Sequence, residues 1–188
     1  MNLSKTTAVL TVIIGLGALT VVSSCSKKNN STPAKMTLYD SLGGTAKVND
    51  PANSGMMIET GYLNIRNVVD SAIFIIAGDT VLQPYFKVLL GEVSNGNLSG
   101  FQELSTNLTT FIAVAAGAKD YTYTGLSMSA AHNPATNPRI TMKVDSSDFN
   151  QFIGDVATSF TVKNKLPASL LAQVAPVLFS VEGQVVQR

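Results

Sequence analysis

The sequence predicts a mostly helical, all-α domain over residues 37–188, set behind an amino-terminal export signal and a polar tether. Three observations carry this. Apolar residues recur at steps of three and four along several stretches, the spacing of one helix face. Clusters rich in Gly, Asn, Pro and Ser separate those stretches. Of the 188 residues, 45% are hydrophobic and only 13% charged, which favours a packed core over disorder.

Residues 1–24 have the three-part layout of an export signal. Lys5 supplies the positive start, residues 8–22 the apolar stretch, and Ser23-Ser24 the small residues before Cys25. The apolar stretch contains Gly15 and Gly17, is short for a membrane span, and is followed by Lys27-Lys28 and a polar tract. Residues 25–36 lack the apolar content to fold and read as a solvated tether.

Within the domain, residues 65–77 carry Ile65, Val68, Val69, Ala72, Ile73 and Ile76 at helical spacing, although their β-branched richness keeps a strand reading open. From Phe101 the apolar positions are Phe101, Leu104, Leu108, Phe111, Ile112 and Ala115. A helix over residues 146–161 follows, with Phe149, Phe152, Ile153, Val156, Ala157 and Phe160 on one side and a cap at Ser146 to Asp148. The last helix starts near Pro167 and continues to Val185, with Pro176 expected to kink it. Residues 49–55, 94–100 and 133–138 read as loops.

Composition excludes several functions. Thirteen basic residues face twelve acidic ones, and removal of the signal takes away only Lys5, leaving an even balance. Such a chain has no electrostatic case for binding nucleic acid. One Cys and one His exclude a disulfide framework and a structural zinc site. The glycines between Gly91 and Gly100 are not followed by the Lys-Ser or Lys-Thr of a phosphate loop. No nucleophile-elbow pattern accompanies His132, which sets a hydrolase aside.

Two resemblances sharpen the reading. Val22-Ser23-Ser24-Cys25 resembles the bacterial lipobox, which implies lipidation of Cys25 and a membrane-held domain at the cell envelope, on the outer-membrane or periplasmic side. The alternative is a chance cysteine after an ordinary secretion signal. The domain itself resembles the group I truncated haemoglobins. The likeness runs from Leu38-Tyr39-Asp40-Ser41-Leu42-Gly43-Gly44 through Val68-Val69-Asp70 and Pro84-Tyr85-Phe86 to Phe111. It continues with Tyr123-Thr124-Gly125-Leu126-Ser127-Met128-Ser129-Ala130-Ala131-His132, then Val144 to Phe149 and Ala175-Pro176-Val177-Leu178, with apparent insertions near 45–62, 88–98 and 134–140.

The resemblance implies a two-over-two helical sandwich with inserted loops. It implies haem as cofactor, His132 as the iron ligand, and Phe86, Phe111, Ile73, Leu104 and Leu108 around the haem. A diatomic gas such as dioxygen would be the partner, or electrons would pass through the iron; no other enzyme activity is implied. Ile73 falls where the family has its distal tyrosine, after Ala72, and Leu104 and Leu108 fall where it often has a glutamine. An aliphatic pocket donates no hydrogen bond to iron-bound dioxygen and forfeits about 1 kcal/mol or more. A register shift would instead offer Gln102 or Asn107. The altered glycines at Ala116-Gly117 and the missing distal donors keep a second expectation in view, a globin-like fold without haem that serves as a binding or structural module. Tyr121, Tyr123, Met128 and Met142 read as core or surface packing, with a second place as pocket groups.

Overall fold

The computed structural model describes residues 35–188; the export signal, Cys25 and all but the end of the tether lie outside the described residues. The described chain is mostly helical. Its elements are α1 (Leu38–Ser41), β1 (Lys47–Asn49), β2 (Met57–Glu59), α2 (Thr60–Gly78), a 3-10 turn at Gln83–Phe86, α3 (Lys87–Ser94), α4 (Ser99–Ala115), α5 (Met128–Ala131), α6 (Ser146–Thr158) with a π turn at Ser159–Lys163, α7 (Ala168–Phe179) and α8 (Glu182–Val185). Among them no single helix is long and apolar enough to cross a membrane.

α2 is the central element, lying against α4 on one side and against α6 and its π turn on another. Its buried residues Ile65, Val68, Val69, Ala72 and Ile73 form the middle of the main core, and Ile76 joins a smaller cluster with Leu82 and Tyr85. Burial of these branched side chains by neighbouring helices overrides their preference for strands. α4 meets α2 mainly through small residues: Ser105, Thr109 and Ala113 are buried, together with Ile112. The larger Leu104, Leu108 and Phe111 are only half-buried and turn to a second face. The stripe legible from hydrophobicity is therefore not the face packed most deeply.

α6 starts at Ser146, as the sequence predicts, but its cap lies one residue earlier than the serines suggest. Asp145 is the cap, accepting from the backbone N–H groups of Ser147 and Asp148, while Asp148 accepts from the Asp145 N–H, so both members of a capping box are acidic. The Ser159 hydroxyl in the π turn donates to the Val68 carbonyl of α2 at 2.7 Å. α7 is capped at Pro167 and tolerates Pro176 in its last turn. The expected continuation to Val185 is interrupted at Ser180 and resumes as α8. Gln187 N–H then donates to the Val144 carbonyl at 2.9 Å, so the end of the chain runs beside the start of α6.

The largest surprise is the hairpin within the segment read as insertion and loop. β1 and β2 pair antiparallel, with Val48 opposite Ile58, and the Asn49–Gly55 turn chemistry supplies their connection. The hairpin delivers Glu59 beneath α1. There the fully buried Glu59 carboxylate accepts from Tyr39 Oη at 2.7 Å and from Lys47 Nζ at 3.0 Å. Gly43 has φ +124°, a conformation that favours glycine, and Gly61 lies so close to the Tyr39 ring that a Cβ would stand 2.9 Å from it. The opening motif is thus a packed corner.

Candidate functional site

The second face of α4 borders a cavity of about 230 Å³. Its walls come from α2, the 3-10 turn, α4, the segment leading into α5, His132, and the α7–α8 region. All six residues expected around a haem lie on it: Ile73, Phe86, Leu104, Leu108, Phe111 and His132. Ala72 does not; it is part of the core.

His132 caps the one-turn helix α5. Its Nδ1 stands 2.9 Å from the Met128 carbonyl oxygen. A carbonyl only accepts, so Nδ1 carries the proton and Nε2 keeps its lone pair. Burial holds the imidazole below its ordinary pKa, and the hydrogen bond to Met128 offsets this only in part, so the ring is neutral at physiological pH. Among the described residues Nε2 has no hydrogen-bond partner. A neutral ring with one nitrogen tethered and the other free on a cavity wall has the chemistry of a metal ligand oriented by its backbone. No cluster of three His, Cys, Asp or Glu side chains able to hold a bare metal ion occurs among the described residues.

The surroundings are mainly apolar, with a few polar groups whose positions the sequence left undecided. Asn107 lies on the wall with Leu104 and Leu108, whereas Gln102 is exposed and off it. The Asn107 amide has no side-chain hydrogen bond among the described residues. Tyr123 also borders the cavity, edge-on to Phe111 at 5.7 Å between ring centres, and its hydroxyl donates to the Leu126 carbonyl at 2.6 Å. Met128 is a wall residue as well, while Tyr121 stacks on Tyr62 at 4.3 Å and Met142 packs beside the small cluster of Ile76, Leu82 and Tyr85.

Two charged groupings at the cavity were not foreseen. In one, Tyr85 donates to Asp148, and Arg188 Nη2 lies 2.9 Å from both the Tyr85 hydroxyl and the Asp148 carboxylate and 3.1 Å from Asp145. Burial and the neighbouring Asp148 push the Tyr85 hydroxyl up to about 12, so it remains protonated. In the other, Arg139 pairs with Glu92 at 3.0 Å and with Glu103 at 2.7 Å. Partners separated by 36 to 103 positions in the chain have no local sequence signal.

No protein-family model matches the chain, and no curated protein matches it significantly.

Proposed function

We propose that this chain is a haem-binding, truncated-globin-like protein held at the bacterial cell envelope by a lipid on Cys25. The observation that carries the reading is His132, a neutral ring fixed through Nδ1, with Nε2 unpartnered among the described residues, in the lining of a mainly apolar cavity. That donor set fits haem, which needs one imidazole and an apolar enclosure. His132 would hold the iron, and Ile73, Phe86, Leu104, Leu108 and Phe111 would enclose the macrocycle and exclude water. Bound haem would supply a centre for a diatomic gas such as dioxygen, or for an electron.

The chain's own residues shape that chemistry. The Met128 carbonyl fixes the ring orientation and raises the basicity of Nε2. Ile73, Leu104 and Leu108 donate no hydrogen bond to a gas ligand. Among the α4 residues on the cavity wall Asn107 is the one with an uncharged side-chain donor, so dioxygen retention depends on whether that amide reaches the ligand. The haem-less alternative, a binding or structural module, predicts a stable, colourless, helical protein when haem is plentiful during expression, and a tightly bound red protein would exclude it. Titration of the full chain in detergent micelles with hemin tests it. We expect a saturable one-to-one Soret shift that His132→Ala abolishes. No shift, or one indifferent to His132→Ala, would overturn the reading.

A further inference from the structure

We infer that the paired charges of Arg139 form a clasp that sets how often the His132 cavity opens. This rests on the cavity being a ligand site, as proposed above, but not on haem being the ligand.

Arg139 and Glu103 border the cavity, and their side chains are 32% and 61% exposed, so this is a rim where the cavity meets solvent. Arg139 Nε lies 3.0 and 3.1 Å from the two oxygens of Glu92 at the end of α3, and Nη1 lies 2.7 Å from Glu103 in the first turns of α4. The guanidinium thus fastens the segment after His132 to the helix that carries Leu104, Leu108 and Phe111. The other end of that segment is fastened to α5. The Thr136 hydroxyl donates to the Ala130 carbonyl at 2.6 Å, the Asn137 amide donates to the Ala131 carbonyl at 2.8 Å, and Asn137 Oδ1 accepts from the Arg139 N–H at 3.1 Å. His132 and its loop therefore move as one piece, and widening the rim requires parting Arg139 from α3 and α4.

Gly100 provides independent support. It stands in the first turn of α4, where glycine weakens a helix, and its backbone is not among those with positive φ. A Cβ there would overlap Glu92 Oε2 and lie 2.7 Å from both Arg139 Nε and Leu89 Cδ1. The missing side chain makes room for the ion pair. The outer pair with Glu103 is exposed and screened by salt, whereas the inner pair with Glu92 is more sheltered. The clasp is therefore graded: the outer half yields to ionic strength, and the inner half keeps the resting state shut.

Hydrogen exchange on the full chain in detergent micelles, followed over peptides spanning 133–141, reads the opening directly. Glu103→Gln should speed loop exchange roughly two- to five-fold, the range expected of an exposed pair. Arg139→Gln and Gly100→Ala should speed it roughly tenfold or more, with the amides of α2 and α6 unchanged. Added salt should speed exchange in the wild type and not in Arg139→Gln. Hemin uptake, and hemin loss to a scavenging apoprotein, should both accelerate by the same factor as the loop. Affinity would then stay constant, whereas a merely structural role would change loss alone. Loop exchange within twofold of wild type in all three variants overturns the clasp, as does acceleration of hemin loss without uptake. Should Arg139→Gln lose protection throughout α2 and α6, it has not folded, and Glu103→Gln and Gly100→Ala decide. A chain that takes up no hemin refutes the haem reading, and the clasp then stands or falls on exchange alone.

Discussion

Tyr39→Phe isolates the buried junction beneath the opening motif. Tyr39 is 1% exposed and Glu59 is fully buried, so the variant removes one hydroxyl without opening a route for water. The lost bond, 2.7 Å from phenol to carboxylate, is charge-assisted. Hydrogen bonds to charged groups contribute about 1.5–3 kcal/mol, and Glu59 keeps Lys47 as a partner, which favours the lower half of that range. A domain of this size shifts by about 2–4 °C per kcal/mol, so melting should fall by roughly 3–9 °C. The loss should also depend on pH. Burial pushes the Glu59 carboxyl up, but the hydrogen bonds from Tyr39 and Lys47 outweigh it and hold the pKa below the ordinary value. A group with a depressed folded pKa stabilises above its unfolded value and loses that contribution as pH falls through the folded one. The penalty of Tyr39→Phe should therefore be full at neutral pH and shrink in acid. Thermal unfolding by far-ultraviolet circular dichroism measures both, with Tyr62→Phe as comparator because its partner, Thr110 at 2.9 Å, is neutral. A Tyr39→Phe penalty no larger than that of Tyr62→Phe, or one independent of pH, would show that the Tyr39–Glu59 bond is not charge-assisted.

Two further expectations follow from named contacts and one from the sequence. Gly61→Ala drives a Cβ to 2.9 Å from the Tyr39 ring and 3.0 Å from the Gly44 nitrogen, so overpacking should cost about 1–3 kcal/mol in denaturant unfolding. Asp155 is buried with one carboxylate oxygen unpartnered, and burial, then the nearby Asp79, raises its pKa. Its folded state holds the proton more tightly than the unfolded one, so stability falls as pH rises from the ordinary carboxylate range through the raised value. Asp155→Asn should raise the melting temperature at neutral pH and change it little in acid; destabilisation at neutral pH would contradict this. Cys25→Ser should move the protein from the membrane fraction to the soluble fraction and abolish incorporation of a labelled fatty acid in bacterial cells.

Local pattern made some of this molecule legible and hid the rest. The spacing of Phe101, Leu104, Leu108 and Phe111 located α4, and the tract ending in His132 located the imidazole. What hydrophobicity did not reveal was that α4 has two working faces. Ser105 and Thr109 are polar by type, yet they are buried because their small size lets α2 approach. The leucines and Phe111, the obvious core by type, instead face a cavity. The same difficulty applies to Asn107, whose place on the wall depends on helix rotation that a stripe of apolar residues defines only to within a position or so. The hairpin was missed because three-residue strands carry too little alternation to read, and Glu59 matters only through Tyr39, twenty positions away. The Arg139 and Arg188 groupings depend on tertiary contacts alone.

The central claim concerns one ring nitrogen. His132 is the single histidine in the sequence, so labelling histidine with nitrogen-15 labels one site. Pulsed paramagnetic resonance of the hemin-loaded chain should then show strong hyperfine coupling from one labelled imidazole nitrogen to the iron, absent in His132→Ala. Hemin held with no coupling from that nitrogen would contradict the account.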